Sequence, residues 1–295
     1  MILVTGGTGF VGPKIVHALR AAGHDVRVLA RKPGSKAARR AQSWGCQVVA
    51  GDMTDAASLR RAVEGCGTLV HLVAIPLGSP ERFERVMGQG TRDLLAAAKE
   101  ARVGRVVLMS ANGTGEETRE LTSYFRQKWN MEQAVQESGL PYVIFRPSYI
   151  FGPDGGVLDG AIKGVRFSPV VPVVVPDLKM QPIWVEDVAA FFAKAVEVEA
   201  AAGRTFALAG PDVVTWAELW QRIERVLGKR RANVRVPPGV LKAVAKVGDV
   251  LPPTRGASEG VRMLAFGDNV ADATPAVETF GVRPIGLSEQ IRRAA

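Results

Sequence analysis

The sequence predicts an α/β protein built on a doubly wound parallel sheet, with a smaller, mostly helical lobe towards the carboxyl end. Three observations carry that expectation. The first twelve residues run from an apolar strand through spaced glycines into a helical pattern; strand-like and helix-like segments then alternate as far as Phe151; beyond it the alternation gives way to loops and amphipathic helices. On this pattern residues 1–151 with 182–210 are expected to form the sheet domain, and 152–181 with 211–295 the smaller lobe.

The opening stretch, Met1-Ile2-Leu3-Val4-Thr5-Gly6-Gly7-Thr8-Gly9-Phe10-Val11-Gly12, places glycines at the spacing G-x-x-G-x-x-G. Gly6 permits a sharp turn, Gly9 lets the backbone approach a ligand, and Gly12 lets the helix pack close to the sheet. A helix amino end with free N–H groups binds a diphosphate, so the stretch reads as a dinucleotide loop. Pro13 suits the first helical turn, where its missing N–H has no partner to lose.

The elements follow in order. A helix from Lys14 ends near Gly23, and the second strand runs from Asp25 to Ala30. Arg31 and Lys32 stand at its end with no carboxylate beside them, which favours a ribose 2′-phosphate and hence NADP over NAD. A basic helix (Lys36 to Trp44) and a third strand (Gln47 to Ala50) lead to Asp52 and Met53, placed to accept from an adenine amino group and to pack on its ring. Asp55 reads as the cap of the next helix. The strand Thr68 to Val73 contains His71, read as a packed core histidine, and delivers Ala74, small enough to let a cofactor pass. A long helix over Glu81 to Ala101, a strand over Arg105 to Ser110, a helix over Leu121 to Ser138 and a strand over Tyr142 to Arg146 complete the alternation. Further on, Gly152 to Gly156 is a loop, and Val170 to Pro176 is at most a short strand pair, interrupted by Pro172. Helices are expected near Glu186 to Val198, Trp216 to Leu227, Val240 to Leu251 and Ser258 to Phe266, with a strand at Arg204 to Ala209 returning to the main sheet.

Composition narrows the function. The chain has 295 residues, 47 % of them hydrophobic, with no apolar run long enough for a membrane span; with the glycine motif where a signal peptide would sit, a soluble cytoplasmic protein is expected. The net charge of +9 is spread along the chain without an aromatic-basic ribbon, which argues against nucleic acid. Cys46 and Cys66 lack metal-ligand spacing and read as reduced thiols, so no metal is expected.

One pair carries chemistry. Tyr124 and Lys128 are four apart on a helix and share a face, so an ammonium there is expected to lower the phenol's pKa and hold a cofactor ribose while the phenol exchanges a proton with a carbonyl oxygen. Together with the glycine motif, Gly51-Asp52-Met53-Thr54-Asp55 and Arg146-Pro147-Ser148-Tyr149-Ile150-Phe151-Gly152-Pro153, this pair resembles the extended or atypical short-chain dehydrogenase/reductases. The runs Gln181-Pro182-Ile183-Trp184-Val185-Glu186-Asp187-Val188-Ala189 and Phe266-Gly267-Asp268-Asn269 are most similar to the branch of the 39-kDa accessory subunit of respiratory complex I. The resemblance implies a Rossmann domain holding NAD(P)(H), with Thr8, Phe10 and Val11 at the diphosphate loop and contacts from Asp52, Met53, Ala74, Lys128, Pro147 and Ser148. The position of the family's active-site Ser or Thr falls on Ser110 or Asn112.

Two functions follow: an NADP-dependent oxidoreductase using Tyr124, Lys128 and either Ser110 or Asn112, or a non-catalytic nucleotide-binding subunit or redox sensor. The expected partner is a small molecule, with a lipophilic quinone-like substrate among the candidates. The stripe Val240, Leu241, Val244, Val247, Val250 and Leu251, with Lys242 and Lys246, fits either core packing or a membrane or protein-complex surface. A monomer and a homodimer fit equally.

Overall fold

In the computed structural model the strands β1 (Ile2–Thr5), β2 (Val26–Ala30), β3 (Gln47–Ala50), β4 (Thr68–His71), β5 (Arg105–Met109) and β6 (Tyr142–Pro147) alternate with helices α1 (Gly12–Ala21), α2 (Lys36–Ser43), α3 (Ala56–Val63), α4 (Pro80–Phe83), α5 (Gly90–Glu100) and α6 (Ser123–Glu137). The residues described are 1–153, 155–237, 239–240, 243, 246, 257–264 and 266–295. Past β6 come β7 (Ile150–Phe151), α7 (Gly156–Phe167), β8 (Val170–Val173), β9 (Lys179–Met180), β10 (Ile183–Trp184), α8 (Val185–Ala195), β11 (Arg204–Leu208), β12 (Val214–Thr215), α9 (Trp216–Leu227), β13 (Ala232–Arg235), α10 (Ala257–Leu264), α11 (Thr274–Phe280) and α12 (Leu287–Ala294). The expected helix over Val240 to Leu251 lies largely outside the described residues. No helix among the described residues is long and apolar enough to cross a membrane.

Seven strands form one parallel sheet in the order β11-β6-β5-β4-β1-β2-β3. Strand side chains alternate between faces, so Ile2 and Val4 join the core under α1 and α8 while Leu3 joins the core under α3, α5 and α6. The order reverses between β1 and β4, and a ligand cleft opens at the carboxyl ends of strands beside such a reversal. The expected returning strand is β11, paired with β6. A third core, including Leu158, Ile162, Val171, Trp184, Leu219 and Ile291, fills the layer built from α7, α9 and α12.

Five stretches depart from expectation. The helix expected over Glu81 to Ala101 is α4, a π-helical segment over Glu84–Gln89, and α5. Close packing accompanies the widened turn: a Cβ at Gly88 would lie 2.6 Å from Gln127 Oε1, and one at Gly90 2.6 Å from the Met53 carbonyl oxygen. Helix α7 begins where only loop is expected, carrying Leu158, Ala161, Ile162 and Val165 inward. Strand β8 pairs not with its sequence neighbour but in parallel with β13, leaving Pro172 on the exposed face. Helices α11 and α12 close the chain where no element is expected.

His71 is buried in the core, as expected, with Nδ1 2.6 Å from Thr5 Oγ1 and Nε2 2.9 Å from Thr91 Oγ1. The Thr91 hydroxyl donates to the Met87 carbonyl, so it accepts from Nε2–H, and Thr5 donates to Nδ1 of a neutral ring. Burial, and secondarily the Lys128 ammonium, push His71 down to about 3 from its ordinary 6.5. Its contribution to stability is therefore complete above pH 6.5 and is lost as pH falls towards 3. At pH 4.5 the loss is expected to be about 3 kcal/mol, since each tenfold difference in proton affinity between folded and unfolded chain is worth about 1.4 kcal/mol. Urea unfolding at pH 7 and pH 4.5 measures it, and the same pair of measurements on His71→Gln isolates the imidazole's share.

Candidate active site

The turn after β1 is built for close approach. Gly6 has φ +76°, a conformation that side chains disfavour, and a Cβ on Gly12 would lie 2.3 Å from the Gly6 carbonyl oxygen. Helix α1 starts at Val11 without a side-chain cap and with no acidic residue in its first turn. The backbone N–H groups of Thr8, Phe10 and Val11 find no acceptor among the described residues, so the positive end of the helix presents unpaired donors to the adjoining cavity. An anionic diphosphate fits that cradle. The Phe10 ring packs over Gly152, Gly155 and Gly156, where an added Cβ would meet it at 3.2 to 3.4 Å. This ties the glycine loop to the start of α7.

The cavity encloses about 830 Å³ along the carboxyl ends of the strands. Of the residues singled out from sequence, it brings together Gly6, Thr8, Gly9, Phe10, Val11, Gly12, Arg31, Asp52, Met53, Ala74, Ser110, Asn112, Tyr124, Lys128, Pro147 and Ser148. Lys32 is the exception: two residues past the end of β2, it is exposed and does not line the cavity, whereas Arg31, also exposed, does. Burial opposes ionisation of Asp52, but the Thr54 N–H and hydroxyl, with the nearby Arg31 guanidinium, hold its carboxyl below the ordinary carboxylate range.

Helix α6 sets the other end. Thr122 caps it through the Phe125 N–H, and Glu259 of α10 accepts from the Ser123 N–H at 3.1 Å. Tyr124 and Lys128 then lie on one face with the ammonium 5.8 Å from the phenol ring centroid. They do not hydrogen-bond, which corrects the expectation of a phenol lowered by its lysine. Lys128 is 1 % exposed and its Nζ donates to the Met109 carbonyl oxygen at 2.7 Å. Burial pushes Tyr124 up to about 12 and pulls Lys128 down to about 8, with Glu132 opposing the latter change. Glu132 is fully buried and held by both arms of Arg146 at 2.9 and 2.6 Å.

The two candidates after β5 separate. Ser110 is buried and its hydroxyl donates to Thr114 Oγ1 at 3.3 Å, whereas the Asn112 amide donates to Asn269 Oδ1 at 3.0 Å. Asn269 comes from 157 residues away and is strapped to β9 by its N–H to the Lys179 carbonyl; its own carbonyl accepts from the Gln181 N–H and the Ser148 hydroxyl. Phe266 stacks on Phe125 with centroids 5.2 Å apart, and Met263, Phe266 and Tyr149 supply apolar wall to the cavity. Apart from the Phe266-to-Asn269 resemblance, no local sequence signal places these residues here.

The family model for the NmrA-like family matches residues 1–272. The chain belongs to the NmrA-like family. This NmrA-like chain is 35 % identical over 229 residues to the (4-alkanoyl-5-oxo-2,5-dihydrofuran-3-yl)methyl phosphate reductase of Streptomyces griseus subsp. griseus, a match covering 78 % of this chain and 74 % of that one. It is 30 % identical over 249 residues to the ceramide reductase of Caulobacter vibrioides, covering 84 % and 77 %. In fold it is similar to the Citrobacter sp. triphenylmethane reductase complexed with NADP(H), with a TM-score of 0.80 and 18 % identity, covering 100 % of this chain and 99 % of that one. Short-chain dehydrogenase/reductase architecture is thus common to this family and its structural neighbours.

Proposed function

We propose that this NmrA-like chain is an NADP(H)-dependent oxidoreductase that reduces a carbonyl or quinone-like small molecule, with residues 1–151 and 182–210 holding the nucleotide and the remainder shaping the substrate site. The observation that carries the reading is the continuous cavity joining a helix amino end with unpaired amides to a face that carries half-buried Tyr124 and buried Lys128. Gly6, Gly9, Gly12 and the amides of Thr8, Phe10 and Val11 would hold the diphosphate; Asp52 and Met53 the adenine; Arg31 the 2′-phosphate; and Ala74, Lys128, Pro147 and Ser148 the remaining ribose and ring. Bound NADPH supplies the hydride. A phenol that stays protonated well above neutrality is a proton donor, which supports reduction with Tyr124 giving its proton to the substrate oxygen. To orient that oxygen the Ser110 hydroxyl would turn from Thr114, or the Asn112 amide from Asn269 Oδ1 and the Val270 carbonyl. The apolar wall of Phe266, Phe125 and Met263 suits a lipophilic substrate.

That Ser110 and Lys128 both point to protein partners also favours a second reading, a nucleotide-binding protein without turnover, such as a structural subunit or redox sensor. The test runs in two stages. Titration should show saturable NADPH binding, tighter than NADH, and Arg31→Ala should weaken NADPH by about tenfold or more, as expected for a hydrogen bond to a charged group, while leaving NADH unchanged. Loss of NADPH fluorescence with ketones, aldehydes and quinones should then fall by about 10² or more in Tyr124→Phe. Binding without turnover of any acceptor would support the second reading.

A further inference from the structure

Away from the cavity, β8 and β13 form a two-stranded parallel sheet, and among the described residues one of its faces is bare. Val171 and Val173 point into the core beneath, while Val170 and Pro172 point outward; the paired residues Ala232 and Val234 share that outward face. Phe167, at the end of α7, stands beside them with 83 % of its surface exposed, and Val170 and Val234 are 42 % and 50 % exposed. A phenylalanine that open does not serve the fold, and it joins aliphatic residues in one strip.

Cations rim this strip. Lys229, Arg230 and Arg231 lead into β13, and among the described residues none pairs with a carboxylate. Lys229 and Arg231 instead donate to the backbone carbonyls of Arg166 and Val165 at the carboxyl end of α7, which anchors them beside Phe167. Asp159 of α7 pairs with Lys163, and Glu224 of α9 accepts from Asn233.

We propose that this face docks on an anionic phospholipid bilayer, with Phe167, Val170, Pro172 and Val234 entering the headgroup region and Lys229, Arg230 and Arg231 meeting the lipid phosphates. A second copy of the chain would bring the same cations against themselves, and a nucleic acid would leave the aliphatic strip without a partner. A bilayer satisfies both the charge and the apolar surface. The proposal is independent of what the cavity binds.

Co-sedimentation of the full chain with vesicles of phosphatidylcholine alone, and with an equal mixture of phosphatidylcholine and phosphatidylglycerol, tests it. Pelleting is expected only with the mixed vesicles and is expected to weaken with added salt. Lys229→Glu combined with Arg230→Glu should reduce partitioning by about thirty-fold or more, at about one kilocalorie per cation removed. Phe167→Ser combined with Val234→Ser should lower it as well, and because all four positions are exposed the melting temperature and NADPH titration should match wild type. Equal pelleting with both vesicles, or pelleting indifferent to both variants, overturns the proposal. So does self-association in sedimentation velocity that Phe167→Ser abolishes, which would assign the face to a second copy.

Discussion

Gly12→Ala is expected to cost about 3 kcal/mol and to lower the melting temperature by roughly 6 to 10 °C, although alanine is the better helix former. The helical preference favours alanine by about 1 kcal/mol, but the added Cβ would lie 2.3 Å from the Gly6 carbonyl oxygen and 2.6 Å from the Gly7 carbonyl carbon, and both are backbone atoms that cannot step aside. Sterics win. Gly9→Ala separates folding from binding at the same turn. Its Cβ would meet only the Gly6 oxygen, at 3.3 Å, and otherwise stands in open space at the cavity wall. The melting temperature is expected to stay within about 2 °C of wild type, while NADPH affinity falls by about tenfold or more because a methyl group occupies the surface a diphosphate must touch. Thermal unfolding with and without NADPH measures both. An unchanged Gly12→Ala melting curve would mean that the turn does not have the geometry described, and an unchanged Gly9→Ala titration would mean that the phosphates lie elsewhere.

Much of this turn is legible in the sequence, because glycine spacing after a strand has a local backbone cause. What cannot be read there is Gly7, which packs under Val28, Val16 and Val4 from three other points of the chain. The same division holds across the fold. Strands β1 to β6 announce themselves as short apolar runs because both sheet faces are covered, and Asp55 announces its helix because a cap acts over three residues. Helix α7 carries the periodic signal Leu158, Ala161, Ile162 and Val165, but four glycines within and beside it mimic a loop. The pairing of β8 with β13 joins segments some sixty residues apart, and no local pattern specifies it. In the site, Tyr124 and Lys128 are legible as a helical pair, yet their missing hydrogen bond is not, since the Met109 carbonyl that captures the ammonium belongs to another strand. Asn269 and Phe266 reach the cavity only through tertiary packing.

Lys128→Met should separate stability from activity more sharply than any other substitution. The ammonium is 1 % exposed with one carbonyl acceptor, and burial pulls it from 10.5 to about 8. At pH 7 it is charged both folded and unfolded, so its burial costs the folded state on the order of 3 kcal/mol. As pH rises from 8 to 10 the folded protein gives up this proton before the unfolded chain does, and stability should increase; above 10, Tyr124 acts in the opposite direction because burial disfavours its ionised form. Methionine fills a similar volume without the charge. The variant is expected to be as stable as wild type or more so at pH 7, to lose the rise between pH 8 and 10, and, with Lys128 in the role proposed above, to lose about a hundredfold or more in turnover. Glu132→Ala should behave oppositely. It strips the counter-charge from Arg146 and Lys128 together and is expected to destabilise by about 3 to 5 kcal/mol. Urea unfolding of both variants across this pH range decides the matter: a Lys128→Met protein far less stable than wild type at pH 7 would show that the buried ammonium supports the fold, and its place beside Tyr124 would then owe nothing to chemistry.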